Sequence, residues 1–163
     1  MLPITKTKYP INRQQLLLEA NQSRVNNKPF MIDVKGAQVE WVAGWNISRT
    51  SSDCIYALME SIGVEKIAKP RFYYMKPYVA LPLHVDVNTQ CSFNFVLSDN
   101  PAPIQIEGVD YFYAQALLNT RRQHRVINAS EERVMLKLSI LDHSYEKVLQ
   151  MIPEEFKDEQ NNN

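Results

Sequence analysis

In the stretch LPLHVDVNTQCSFNFVL, residues 81 to 97, a histidine and an aspartate stand two apart. They are His84 and Asp86, at the end of a predicted strand and just before a turn. Alternate residues of a strand point to the same face. An imidazole nitrogen and a carboxylate oxygen can therefore aim at one point. Two such ligands hold a cation poorly, and a third must come from elsewhere in the fold. The chain has three histidines, His84, His124 and His143. His124 opens another predicted strand, and an antiparallel sandwich can bring two distant strands side by side. His143 follows Asp142 and reads as surface at a helix entry. Taken singly these pieces are ordinary: H-x-D arises often by chance, and a lone histidine is usually a satisfied structural residue.

Taken together, two histidines and one carboxylate on one side of an ion make a facial triad that leaves the remaining octahedral positions open. That is the donor set of non-haem Fe(II) oxygenases, and it needs no thiolate. Arg133 adds to it. It lies one strand beyond His124 and interrupts the otherwise apolar segment RVMLKLSIL. A guanidinium on a core strand needs a partner, and a planar carboxylate is the natural one. Two partners are open: a protein acid such as Glu107 or Asp110, or the far carboxylate of a dicarboxylic co-substrate.

The elements that must position these groups are legible in outline. The chain has 163 residues, 45% hydrophobic and 22% charged, which suits a single soluble domain with its own core. Lys+Arg and Asp+Glu are both 18, so bulk charge offers no attraction to nucleic acid or anionic lipid. Two cysteines, Cys54 and Cys91, without metal-type spacing read as reduced packing residues. No leader or membrane-spanning run is evident, and a cytoplasmic protein is expected. Residues 11 to 24 are rich in helix formers, with Ile11, Leu16, Leu18 and Val25 as its candidate face. MIDVKG and QVEWVAGWNIS read as strands. SSDCIYALMESIG reads as a helix capped by Asp53 or Ser52 and closed by Gly63. From Lys69 on, short β-rich runs alternate with turn residues: PRFYYMKP, ALPLHVD, SFNFVLS, APIQIEG, VDYFYA, QALLNT, HRVIN and RVMLKLSIL. That texture predicts an antiparallel sandwich or jelly roll, with HSYEKVLQMI as a last helix. The expected organisation is one domain, 1–163. Residues 1–68 give helical and strand support, 69–141 the β core, and 142–163 a closing helix and a frayed tail.

These residues resemble the Fe(II)- and 2-oxoglutarate-dependent oxygenases. The family's motif is H-x-D/E, a distal His, and a basic residue about one strand later, matched here by His84, Asp86, His124 and Arg133. RFYYMKPYVALPLHVD is similar to the F-x-x-L-x-P-G-x-x-x-P-H segment of the aspartyl/asparaginyl β-hydroxylase-like branch. SFNFVL and ALLNTRRQHRVINASEERVMLKLSI are similar to its later strands, so the likeness runs over roughly residues 70 to 141. It implies a double-stranded β-helix, a cupin-like jelly roll. It implies Fe(II) on His84, Asp86 and His124, and 2-oxoglutarate held by Arg133. It further implies use of O2, release of succinate and CO2, and hydroxylation of an amino-acid, peptide or other small substrate. By position, Tyr73 is where relatives place a hydroxyl on the co-substrate's far carboxylate. Asn94, with Ser92 on the same strand face, is where they reach its 1-carboxylate. The sequence departs at Tyr78, where the branch turns with Gly, and after Arg133, where Val134 and Met135 replace the R-x-S pattern.

Other residues are open to more than one use. Trp41 and Trp45 lie on one predicted strand face and can floor a pocket or pack in the core. Arg121, Arg122 and Arg125 around His124 can steer an acidic substrate or be solvated charges. SDNPAPIQIEG can form a lid or a simple turn. Competing functions are a cupin-like metal enzyme that needs no 2-oxoglutarate and a jelly-roll binding module without turnover. No basic stripe with interleaved aromatics favours a nucleic-acid substrate.

Overall fold

The computed structural model describes residues 1–43 and 49–158. Trp45 and the asparagine-rich end lie outside the described residues. Ten strands and three helices are described: β1 (Ile4–Lys6), α1 (Arg13–Asn26), β2 (Phe30–Val34), β3 (Ala37–Ala43), α2 (Arg49–Ile62), β4 (Ala68–Met75), β5 (Cys91–Val96), β6 (Ile104–Ile106), β7 (Val109–Tyr111), β8 (Gln115–Leu118), β9 (His124–Val126), β10 (Arg133–Ile140) and α3 (Tyr145–Met151). A 3-10 turn, Glu154–Phe156, follows. No helix among the described residues is long and apolar enough to cross a membrane.

The strands form a seven-stranded sheet, ordered β1-β8-β5-β10-β4-β3-β2, facing a three-stranded sheet, β7-β6-β9. Every described pairing is antiparallel. This is the double-stranded β-helix that the sequence leads one to expect. The N-terminal part is more than support: β2 and β3 extend the large sheet beyond β4, and β1 extends it beyond β8. β1 has no counterpart in the expected elements, because three residues are too few to show a period.

Period-two alternation divides the core. On β10, Val134, Leu136, Leu138 and Ile140 join Phe72 and Tyr74 of β4 and Phe93 and Phe95 of β5 in a core beneath the helices. The opposite face meets the small sheet through Val39, Met75, Ala116, Leu118, Ile104, Ile106 and Val126. The α1 helix buries Leu16, Glu19, Ala20 and Ser23, the i, i+3, i+4, i+7 stripe. That corrects the expected face: Leu18 and Val25 are exposed, because they sit off the stripe set by Leu16. Asn12 caps α1, its side chain accepting from the amide of Gln15. The α2 helix starts at Arg49, ahead of the expected cap at Ser52 or Asp53. Cys91 is a buried free thiol. Burial, reinforced by the charge of Glu146, pushes Cys91 up to about 12, which suits a packing residue.

The expected strand over ALPLHVD is the clearest difference. Residues 80–86 make only isolated bridges, Ala80 to Ile127 and His84 to His124. Four steps are taken along this segment while β9 and its extension advance three, so one extra residue is accommodated, as in a β-bulge. Pro82 lies in the interval and has no N–H to give to a ladder. The turn that leads in passes through Tyr78 at φ 62°, the left-handed region where the resembling branch uses glycine.

Leu136 is fully buried and Leu18 half-exposed. We expect Leu136→Ala to cost about 3 kcal/mol and Leu18→Ala no more than about 0.5 kcal/mol in urea denaturation.

Candidate metal centre

His84 and His124 face each other across the bridge, each amide donating to the other's carbonyl at 3.0 and 2.9 Å. Their rings lie 4.4 Å apart. In each, Nδ1 sits 2.8 Å from a carbonyl two residues back, Pro82 for His84 and Arg122 for His124. A carbonyl only accepts, so Nδ1 carries a proton, and the tautomer this selects in a neutral ring offers its Nε2 lone pair to an ion. Both Nε2 atoms turn to the same oxygen: Asp86 Oδ1 is 3.5 Å from His84 and 3.3 Å from His124. The three donor atoms lie within 4.8 Å of one another. Donors about 2.1 Å from one ion and at right angles to each other stand about 3 Å apart, so this set fits a divalent cation with small adjustments.

The other oxygen of Asp86 is taken. Lys137 Nζ lies 2.5 Å from Oδ2, and both side chains are largely buried. Burial alone would raise the Asp86 carboxyl, but the Lys137 ammonium and the two imidazoles more than offset it and hold it well below the usual carboxylate range. Lys137 shows the converse: burial lowers it, the Asp86 charge raises it, and the net direction is up. The pair is therefore ionised.

Lys137 is not marked by the H-x-D and distal-His motif, although strand alternation signals it. In RVMLKLSI the polar residues Arg133, Lys137 and Ser139 fall on alternate positions, so they share one face of β10. That face lines a cavity of about 480 Å³ between the sheets, which also receives His84, Asp86 and His124.

Arg133 is at the other end of that face and is buried. It donates to the Ala102 carbonyl at 2.7 Å, to Asn100 Oδ1 at 3.4 Å and to the Tyr113 hydroxyl at 3.3 Å. The protein acids considered as partners are elsewhere: Glu107 pairs with Arg122, and Asp110 accepts from Gln105. Among the described residues no carboxylate pairs with Arg133. Tyr73 lines the cavity, but its hydroxyl is 3.5 Å from Arg71; the phenol beside Arg133 is Tyr113, which no sequence signal marked. Asn94 is buried in the cavity wall, opposite Lys137. It accepts from Ser92 and donates to Tyr113.

The remaining candidates sit apart. Trp41 stacks on Phe30 and lies under the guanidinium of Arg71. Arg121 donates to the main chain of Asp86, Arg122 is ion-paired, and Arg125 donates to Gln105. His143 pairs with Asp142 beside the Ser144 cap of α3. The expected lid is half strand, as β6, and its loop bonds Arg133 through Asn100 and Ala102.

No protein-family model matches the chain, and no curated protein does. Solved structures do resemble it. A prolyl-4-hydroxylase from Pseudomonas putida is 14% identical, with a TM-score of 0.59 over 81% of this chain and 86% of that one. The viral collagen prolyl hydroxylase of Paramecium Bursaria Chlorella virus-1, in its 2OG complex, is 9% identical, with a TM-score of 0.60 over 85% and 96%. The non-heme alpha ketoglutarate dependent epimerase SnoN from nogalamycin biosynthesis is 10% identical, with a TM-score of 0.63 over 85% and 75%. At such identities the likeness is one of fold, and it establishes the double-stranded β-helix for this chain.

Removing Lys137 strands a buried carboxylate. In metal-free protein, Lys137→Met is expected to cost about 3 kcal/mol at neutral pH, most of it recovered in the Asp86→Asn, Lys137→Met double variant. Because folding lowers the Asp86 pKa, its contribution is present above the ordinary carboxylate range and lost as pH falls through and below it. Urea midpoints measured across pH, with Asp86→Asn as the flat reference, check both.

Proposed function

We propose that this protein is a non-haem Fe(II)- and 2-oxoglutarate-dependent oxygenase of the aspartyl/asparaginyl β-hydroxylase-like branch, hydroxylating an amino-acid, peptide or other small substrate. The observation that carries the proposal is a pairing within one cavity. A two-imidazole, one-carboxylate donor set stands at one point of it, and at another a buried arginine with no acidic partner among the described residues. A cupin-like metal site that needs no dicarboxylate has no use for the second feature.

His84, Asp86 and His124 would hold the iron, which with bound 2-oxoglutarate and O2 supplies the oxidising chemistry and releases succinate and CO2. The chain's own contribution is placement. Pro82 and Arg122 carbonyls keep both Nε2 lone pairs aimed inward. Lys137 holds one Asp86 oxygen, leaving the other for the ion. Arg133, kept in its fork orientation by Ala102 and Tyr113, takes the far carboxylate of the co-substrate. Asn94 and Tyr73 offer polar groups along the path between them. The apolar walls, Val39, Met75, Ile104 and Val126 among them, exclude water around the charged ends.

Under anaerobic conditions, Fe(II) plus 2-oxoglutarate is expected to give a weak visible charge-transfer band that His124→Ala abolishes. Arg133→Ala should weaken 2-oxoglutarate binding by roughly tenfold or more, the value of a lost charge-assisted pair. Metal affinity, read separately by titration, should stay within about twofold because Arg133 is not a ligand. Equal loss of both would remove the assigned role.

A further inference from the structure

A second guanidinium faces the same cavity. Arg71 of β4 is half-buried and lines it, and Arg71 is the direct cross-strand partner of Lys137. Two cations opposite each other on neighbouring strands repel unless counter-charges are supplied. Asp86 supplies one, and its Oδ2 goes to Lys137. Among the described residues no carboxylate pairs with Arg71. Its contacts are the face of Trp41, 4.4 Å from the guanidinium carbon, and the Tyr73 hydroxyl at 3.5 Å. The other charges at the cavity are Asp33 and Lys35 on the β2–β3 hairpin, both exposed. Asp33 is engaged by the Gly36 amide, and Lys35 donates to the Leu83 carbonyl.

The charges that would fill the site do not remedy this. A divalent cation and a dicarboxylate cancel and Asp86 balances Lys137, so the filled site keeps the net charge of both arginines; the far carboxylate is assigned to Arg133, which leaves none for Arg71. Arg71 stays uncompensated. Stacking on Trp41 holds its planar fork without using the in-plane N–H donors, which suits bidentate capture of an oxyanion. Arg133 and Arg71 are also set apart along the sheet: Arg133 of β10 pairs with Met75 of β4, and Arg71 of β4 pairs with Lys137, four positions further along β10. The two arginines are therefore rooted about 13 Å apart in the direction of the strands.

We infer that Arg71 anchors an anionic group of the substrate, a carboxylate or phosphate-type oxyanion, beside the metal centre. This inference rests on the proposed oxygenase reading for its word "substrate", but the anion subsite is testable without it. The probes are acetate, N-acetylglycine and methyl phosphate, with methylammonium as the cationic control. Each is titrated into metal-free protein and into protein loaded with Zn(II) and 2-oxoglutarate. The readout is the Arg71 Nε–H NMR signal, assigned by its absence in Arg71→Gln. A saturable shift with the anions and none with methylammonium is expected in both forms, and the stronger of carboxylate and phosphate names the group. In Arg71→Gln the affinity, followed on the Trp41 indole signal, should fall about tenfold or more. Arg71→Lys, which keeps the charge without the planar fork and stands in if the glutamine variant does not fold, should weaken it about threefold. Arg133→Ala should leave it within about twofold. No saturable shift, an affinity indifferent to Arg71, or one lost with Arg133 would overturn the inference. Failure of Zn(II) and 2-oxoglutarate to load, with anion binding intact in the metal-free form, would instead count against the oxygenase reading alone.

Discussion

Two main-chain hydrogen bonds between His84 and His124 hold the candidate site together. They join a segment broken by proline to the edge of the small sheet, and they set two imidazoles side by side before any ion is involved. The extra residue taken up between Ala80 and His84 turns the chain there. A regular ladder would keep donating amides through residue 82, where proline has none. The irregularity therefore locates the histidine, and the carbonyl of Pro82 then sets its tautomer.

Around that bridge the fold separates apolar from ionic matter by strand alternation. On β10 one face is hydrocarbon under the helices, and the other carries Arg133, Lys137 and Ser139 into the cavity. Buried charge is costly unless compensated. Lys137 is compensated by Asp86, which lets a carboxylate stay ionised between two imidazoles. Arg133 is instead met by a carbonyl, an amide oxygen and a phenol. Those neutral partners orient a guanidinium without neutralising it, and an arginine so arranged is ready for an incoming anion.

Much of the fold was legible because it rests on local signals. Most of the β-rich runs after Lys69 became strands, and Asn12 and Ser144 cap helices near the expected places. The errors have physical causes. A three-residue strand such as β1 has no period to detect. The α1 face differs from the one that Ile11, Leu16, Leu18 and Val25 suggest because the helix buries alanine, serine and glutamate along the stripe that Leu16 begins. At the site, Tyr113 carries no mark in the sequence, because it faces Arg133 only when two sheets are stacked.

The sequence by itself determined the chemistry available: two histidines and an aspartate able to share a cation, an arginine on an apolar strand, and an alternation that assigns each side chain to a face. Those follow from residue type and from the two-residue period, which are local properties. Tertiary structure decided which charges meet. That Asp86 divides its oxygens between imidazoles and Lys137, that Arg133 has neutral partners, and that Arg71 stands opposite Lys137 all depend on the register between strands distant in the chain. Register is set by packing both faces of a sheet at once, and no single segment contains that information.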